Sequence, residues 1–96
     1  MTRPGAETIE IEPVHLFNLK DYRPLFTARQ QAFFGDSVPG GGHLLFGARC
    51  GGEPAGAVWG GPDRNPGGLF LFHLYVPERF RRRGVGRRLL ETVCAA

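Results

Sequence analysis

The architecture of this chain follows from two adjoining segments, LFLFHLYV at residues 69–76 and RRRGVG at residues 81–86. The first segment is rich in aromatic and branched apolar side chains and stops before Pro77, which predicts a strand. Beyond the second segment, apolar residues recur at helical spacing, which predicts a helix that begins near Gly84. The order is therefore strand, basic loop with two glycines, and helix.

This loop has the features of an anion-binding site. A helix N-terminus presents unpaired backbone amides and the positive end of the helix dipole, and glycine lets an anion approach the backbone. Arg81, Arg82 and Arg83 add guanidinium groups, which match phosphate oxygens in geometry. The sequence therefore predicts a phosphate site here. The alternative is a solvated basic turn ahead of an ordinary surface helix.

The pattern Arg81-x-x-Gly84-x-Gly86, preceded by Val76-Pro77, resembles motif A of the GCN5-related N-acetyltransferase (GNAT) family. The resemblance implies that the loop amides bind the pyrophosphate of acetyl-coenzyme A. It also implies an oxyanion-stabilising amide near the end of the strand, at residues 74–76. The cofactor-binding residues that it predicts are Leu74, Val76, Arg81, Arg82, Arg83, Gly84, Val85, Gly86 and Arg87.

The composition is that of one small globular domain. The chain has 96 residues, of which 42% are hydrophobic and 22% charged, so we expect a single acetyltransferase-like domain over residues 1–96. The net charge of +3 is concentrated in the arginines between Arg79 and Arg88, which suits an anionic ligand and argues against nucleic-acid binding. Because no signal peptide or membrane-spanning run is visible, we expect a cytoplasmic protein without a membrane partner.

Three further strands are predicted upstream. Apolar and polar residues alternate over residues 8–14, which predicts an edge strand. Residues 44–50 and 54–60 predict a hairpin around a Gly-Gly turn, and Gly56 leaves room for close packing against the second of these strands. The predicted class is α+β and sandwich-like, with a mixed, mostly antiparallel sheet of about four strands, flanking helices and an incomplete GNAT fold.

One amphipathic helix is predicted within residues 18–34. Pro24 is tolerable only in a first turn, so the helix is expected to begin late. Its predicted apolar face consists of Tyr22, Leu25, Phe26, Ala32 and Phe33. By the family resemblance, this helix and the loop at residues 36–42 form the acceptor side.

Acetyl transfer to an amine requires a bound thioester, a stabilised oxyanion and a base. Family members with a base on this strand carry Glu or His where this chain has Phe70 and Phe72. The catalytic candidates are therefore His73 and Tyr75, which a regular strand would point to the opposite face, although a β-bulge would change that parity. The alternative is that His73 is merely packed and hydrogen-bonded.

The resemblance implies an enzyme, an N-acetyltransferase that uses acetyl-coenzyme A as co-substrate. The acceptor would be a primary amine on a small molecule, and it would attack the thioester directly. The alternative is a catalytically inactive acyl-coenzyme A-binding or regulatory half-domain that needs a partner chain. No metal site is expected, because Cys50 and Cys94 lack the spacing of metal ligands.

The resemblance covers the front portion of the family domain, without its C-terminal strand and helix. We therefore expect the strand at residues 69–76 to be an exposed edge. Exposed edges recruit other strands, so a homodimer or another partner chain would complete the sheet.

Overall fold

The structure, a computed structural model, describes residues 8–34, 42–62 and 68–96. Its elements in chain order are β1 (Ile9–Pro13), α1 (Leu19–Tyr22), α2 (Ala28–Phe34), β2 (Leu44–Cys50), β3 (Glu53–Pro62), β4 (Leu69–Tyr75) and α3 (Val85–Ala95). Short 3₁₀ turns at Arg23–Leu25 and Glu78–Phe80 precede α2 and α3. The predicted acceptor-side loop at 36–42 lies outside the described residues, except for Gly42.

The four strands form one antiparallel sheet in the order β1-β2-β3-β4. The hairpin between β2 and β3 is confirmed, and its turn residues Gly51 and Gly52 have φ angles of 60° and 84°. Glycine adopts such angles without steric cost, and this twist suits a two-residue hairpin. The predicted α+β class is confirmed, and every described strand pair is antiparallel.

Each face of the sheet carries its own apolar cluster. On one face, α3 packs against the strands through Val85, Leu89 and Val93, all of them buried. On the other face, α1 and α2 cover a cluster that consists of Val14, Leu19, Tyr22, Phe26, Phe34, Leu45, Ala57 and Trp59. The sheet is therefore the middle layer of a three-layer arrangement, with the helices divided between its two faces.

The prediction of a single helix within residues 18–34 is wrong. The chain forms α1 and α2 on either side of a 3₁₀ turn that contains Pro24. Proline has no amide hydrogen to donate, so the helical hydrogen-bond pattern stops there. A capping box then starts α2: the Gln30 amide donates to Thr27 Oγ1 at 3.2 Å, and the Thr27 amide donates to Gln30 Oε1 at 3.0 Å. The sequence Thr-x-x-Gln at residues 27–30 was the signal for this second start.

The second start changes which side chains of α2 face the sheet. Tyr22 and Phe26 are buried, as predicted. Phe33 was predicted to face the core but is 64% exposed, whereas its neighbour Phe34 is buried. The phase of α2 therefore differs from that of one continuous helix, and it presents Phe33 on the outside.

A charged cluster ties α1 to the first two strands. Arg49 donates from Nε to Glu12 at 2.6 Å and from Nη2 to Asp21 at 2.8 Å, and the Tyr22 hydroxyl donates to Glu12 at 2.5 Å. The Tyr22 ring lies against Gly47, where an added Cβ would fall 2.2 Å from the ring. Glycine at this position therefore makes room for a buried tyrosine, and the tyrosine completes the cluster.

Protonation of this cluster is coupled to folding. Burial would raise the pKa of Glu12, but hydrogen bonds from Tyr22 and Arg49 outweigh burial, and the pKa lies below its ordinary value of 4.5. Burial and the nearby Glu12 carboxylate both raise the pKa of Tyr22. The Glu12 contribution to stability is therefore present above pH 4.5 and is lost as the pH falls. The Tyr22 contribution is present below about pH 10 and is lost as the pH rises further.

We expect Tyr22→Phe to lower the free energy of unfolding at pH 7 by about 1.5–3 kcal/mol, because it removes a hydrogen bond to a charged carboxylate. Urea unfolding at pH 7 and above pH 10 measures this. The difference between wild type and variant should shrink at the higher pH. Tyr75→Phe is the matched control, since the Tyr75 hydroxyl has no hydrogen-bond partner among the described residues, and it should unfold like the wild type. Equal stability of Tyr22→Phe and wild type at pH 7 would contradict the coupling.

Candidate active site

The basic loop between β4 and α3 includes two residues in the left-handed region. The φ angle of Arg82 is 66° and that of Gly84 is 83°. Gly84 is the N-cap of α3, and its carbonyl accepts a hydrogen bond from the Arg88 amide at 3.0 Å. The predicted helix start at Gly84 is confirmed, and glycine is favoured there because of its φ angle.

The first turn of α3 leaves its backbone donors available. Within the described part of the chain, no hydrogen bond engages the amides of Val85, Gly86 and Arg87. Such amides at a helix N-terminus favour an anion. They adjoin a cavity of about 270 Å³ that is lined by Val76, Phe80, Arg81, Arg82, Gly84, Val85, Gly86 and Arg87. The cavity therefore combines backbone donors with cationic side chains.

The predicted cofactor-binding residues do not all lie at this cavity. The Arg81 Nε donates to the Val76 carbonyl at 2.8 Å, which ties the loop to the end of β4. Arg83 lies outside the wall of this cavity and lines a neighbouring one, where its Nη1 is 3.9 Å from Cys50 Sγ. Leu74 packs into the α3-side cluster and does not line the cavity. The remaining predicted residues all line this one cavity.

A β-bulge in β4 decides which side chains face α1 and α2. His73 pairs with Trp59, whereas Leu71 pairs with Gly60, so Phe72 is an extra residue in β4. A bulge of this kind puts neighbouring side chains on the same face. The Phe72 ring stacks on Trp59 at 4.8 Å, and His73 lies on that same face. The β-bulge that would change the side-chain parity of this strand is therefore present. It brings Phe72 and His73 to the face that α1 and α2 cover.

The His73 ring is fixed by a hydrogen bond of 2.8 Å between its Nε2 and the Leu25 carbonyl. Since a carbonyl oxygen can only accept, Nε2 carries the hydrogen and Nδ1 retains its lone pair. The ring also packs on Phe26, with 5.1 Å between centroids. No described residue forms a hydrogen bond with Nδ1. The imidazole is thus oriented by a backbone group through Nε2.

Tyr75 lies beside His73, with 6.4 Å between the ring centroids, and is 39% exposed. Both residues line a cavity of about 180 Å³ together with Pro24, Leu25, Phe26 and Thr27. Leu74 and Val76 belong to the opposite, α3-side cluster. The end of β4 therefore has the two catalytic candidates on one face and the anion-binding loop on the other.

The class of the protein follows from a match to a family model. Residues 8–96 match the model of the acetyltransferase (GNAT) family, and the chain therefore belongs to that family. The predicted family and fold are confirmed. No curated protein matches the chain in sequence.

Several solved structures with the same fold are acetyltransferases. A ribosomal-protein-alanine N-acetyltransferase from Brucella melitensis biovar Abortus 2308 has a TM-score of 0.71 at 21% identity, over 92% of this chain and 70% of its own. The aminoglycoside N-acetyltransferase AAC(6')-Iy in complex with CoA has a TM-score of 0.69 at 24% identity, over 88% and 66%. An IAA acetyltransferase from Bacillus cereus ATCC 14579 has a TM-score of 0.69 at 20% identity, over 92% and 57%. The likeness establishes the fold, and this chain spans roughly three fifths to seven tenths of the length of these proteins.

The described ranges contain neither a membrane-spanning helix nor a cluster of metal-binding side chains. No helix there is both long and apolar enough to cross a lipid bilayer. The same ranges hold no group of three or more His, Cys, Asp or Glu side chains arranged to bind a metal ion.

Proposed function

We propose that the chain transfers an acetyl group from acetyl-coenzyme A to a primary amine on a small molecule. The observation that carries the proposal is the set of unpaired amides of Val85, Gly86 and Arg87, which adjoin a cavity with arginine in its wall. A diphosphate suits this set of donors. The aminoglycoside enzyme of the same fold, solved with CoA, supports the assignment of the coenzyme. The cytoplasm is the location that we propose for this reaction.

The proposed reaction is a direct transfer. The amine nitrogen attacks the thioester carbonyl carbon, the C–N bond forms, and a backbone amide within residues 74–76 stabilises the oxyanion. His73 Nδ1 takes the proton that the amine loses, while Nε2 keeps its own hydrogen and donates it to the Leu25 carbonyl. The C–S bond then breaks, and the coenzyme thiolate leaves and is protonated by the Tyr75 hydroxyl. No covalent enzyme intermediate is required.

The second candidate is an acyl-coenzyme A-binding domain without catalysis. The observation that favours it is that Phe70 and Phe72 occupy the positions where, by the family resemblance, a base on this strand would lie. Both candidates require the coenzyme to bind at the loop. They differ in turnover, because only the enzyme releases coenzyme A thiol in the presence of an amine.

We expect acetyl-coenzyme A to raise the melting temperature, because a ligand at a hundred times its Kd adds about 2.7 kcal/mol to the free energy of unfolding. Gly86→Leu should abolish this shift without unfolding the protein. Among the residues that the structure describes, an added Cβ at position 86 would contact only Val76, at 3.6 Å, so the side chain would extend into the ligand cavity. Differential scanning fluorimetry measures both effects.

A matched pair of arginine variants controls for the loss of positive charge. Arg82→Ala removes a cation from the cavity wall and should reduce the shift, whereas Arg29→Ala removes an exposed cation from α2 and should leave it unchanged. No shift in the wild type at saturating acetyl-coenzyme A would contradict the coenzyme assignment.

His73→Gln should lower kcat for the amine by about 10²-fold, because it removes the proposed general base. The variant should regain activity at alkaline pH, where the amine is already neutral, and its thermal shift with acetyl-coenzyme A should be that of the wild type. A thiol-release assay across pH tests this. His15→Gln, which changes an exposed histidine at a distance from β4, is the control. An unchanged kcat in His73→Gln at neutral pH would show that His73 has only a packing role.

We also propose that a second copy of the chain pairs with the open edge of β4 and completes the sheet. β4 is the last strand of the described sheet, and Leu69, Phe70, Leu71 and Phe72 are all more than a third exposed. Such an apolar edge favours strand addition. Light scattering coupled to gel filtration should give the mass of a dimer, and Leu71→Lys, with a charge on the edge, should give a monomer. A wild-type monomer at all concentrations would contradict this proposal.

A further inference from the structure

Four aromatic rings form a continuous surface on the α1–α2 face of the sheet, and we call this surface the aromatic wall: Phe33, Trp59, Phe70 and Phe72. Phe33 and Phe72 both stack on Trp59, with centroid distances of 5.5 and 4.8 Å and interplanar angles of 28°. Phe70 lies 4.9 Å from Phe72. Because the rings come from α2, β3 and β4, the tertiary fold alone assembles them.

The wall is rigid at its base and open at its surface. Trp59 is buried, and its Nε1 donates a hydrogen bond of 3.0 Å to His43 Nδ1, which fixes the indole plane. Phe33, Phe70 and Phe72 are 64%, 51% and 41% exposed. Large apolar side chains that cluster at the surface of a protein mark a binding site more often than isolated ones do.

The wall is continuous with the candidate catalytic histidine. Phe34 lies 5.0 Å from Trp59 and 4.9 Å from Phe26, and Phe26 lies 5.1 Å from His73. The bulge in β4 places Phe72 and His73 on the same face although they are consecutive in sequence. Phe26 and Phe34 are buried, so the link that a ligand could use is Phe72, and a molecule that stacks on Phe72 lies on the face of β4 that carries His73.

The chemical character of the wall favours one kind of acceptor. On this face, Glu12 of β1 and Asp21 of α1 both pair with Arg49 of β2, at the end of the sheet opposite β4. The four side chains that form the wall are aromatic and carry no charge. Stacked aromatic rings favour contact with the planar ring of a ligand.

Resting on the proposed acetyltransferase function, we propose that the aromatic wall binds the ring of an aromatic primary amine and directs its amino group toward His73. Phe33, Phe70 and Phe72 are then the residues that determine acceptor specificity. The reaction stays the same: the amine nitrogen bonds to the acetyl carbon, coenzyme A leaves as the thiol, and His73 receives the amine proton.

The test compares three acceptors: phenethylamine, hexylamine and spermidine. In the wild type, kcat/KM for phenethylamine should exceed that for hexylamine by about tenfold, which corresponds to the energy of an aromatic pair, and spermidine should be the poorest acceptor. Phe33→Ala and Phe70→Ala should each reduce the preference for the aryl amine severalfold. Phe17→Ala is the matched control, because Phe17 is even more exposed and contacts His15 away from the wall, and it should keep the preference.

A second measurement does not depend on turnover. Trp59 is the only tryptophan of the chain, so its fluorescence should change saturably as phenethylamine is added, and this change should be lost in Phe33→Ala. If acetyl-coenzyme A produces no thermal shift but this titration still saturates, the wall binds aromatic amines and the proposed enzyme function fails.

Three results would overturn the aromatic wall as an acceptor site while leaving the acetyltransferase function intact. The first is turnover of phenethylamine and hexylamine at equal kcat/KM. The second is a preference for spermidine. The third is a dimer that Phe33→Ala dissociates, because the wall would then be a subunit interface.

Discussion

The contact between α3 and the glycines of β3 is the constraint on which the rest of the structure depends. A Cβ added at Gly56 would fall 3.0 Å from both Val85 and Leu89, and one at Gly60 would fall 2.9 Å from Val93. The helix therefore lies closer to the sheet than any larger residue would allow. Because Val85 is the first residue of α3, its contact with Gly56 also fixes the N-terminus of the helix at the end of β4. The position of the anion-binding amides is thus a consequence of core packing.

Surface ion pairs flank the loop that precedes α3. Arg79 pairs with Glu53 and Arg87 with Glu91, but both pairs are at the surface, where such ion pairs contribute little to stability. Arg82 adopts a left-handed backbone angle of 66°, which costs a non-glycine residue about 1 kcal/mol. A strained arginine in the wall of a cavity fits a role in ligand binding better than a role in folding.

β4 brings together two surfaces of opposite character. Its α3 side adjoins the cationic cavity, through Val76, and its other side adjoins His73 and the aromatic wall. The extra residue at Phe72 makes this division possible, because without it the aromatic ring and the imidazole would face opposite ways. A coenzyme on one face and an amine on the other would then approach each other at the end of the same strand.

Local patterns in the chain were enough for much of this architecture. The period-two alternation predicted strands, the Gly-Gly turn predicted the hairpin, and the glycine motif predicted the start of α3. Each of these features depends on residues that are neighbours in the sequence. The break in the helix at Pro24 also had a local signal in the sequence. This signal is the capping box at residues 27–30, which follows the proline and starts a second helix. The sequence contains no local signal for three other features: the bulge at Phe72, the exposure of Phe33 and the hydrogen bond from His73 to Leu25. Strand register, helix phase and the partners of a side chain depend on contacts between residues far apart in the chain, and those contacts exist only in the folded protein.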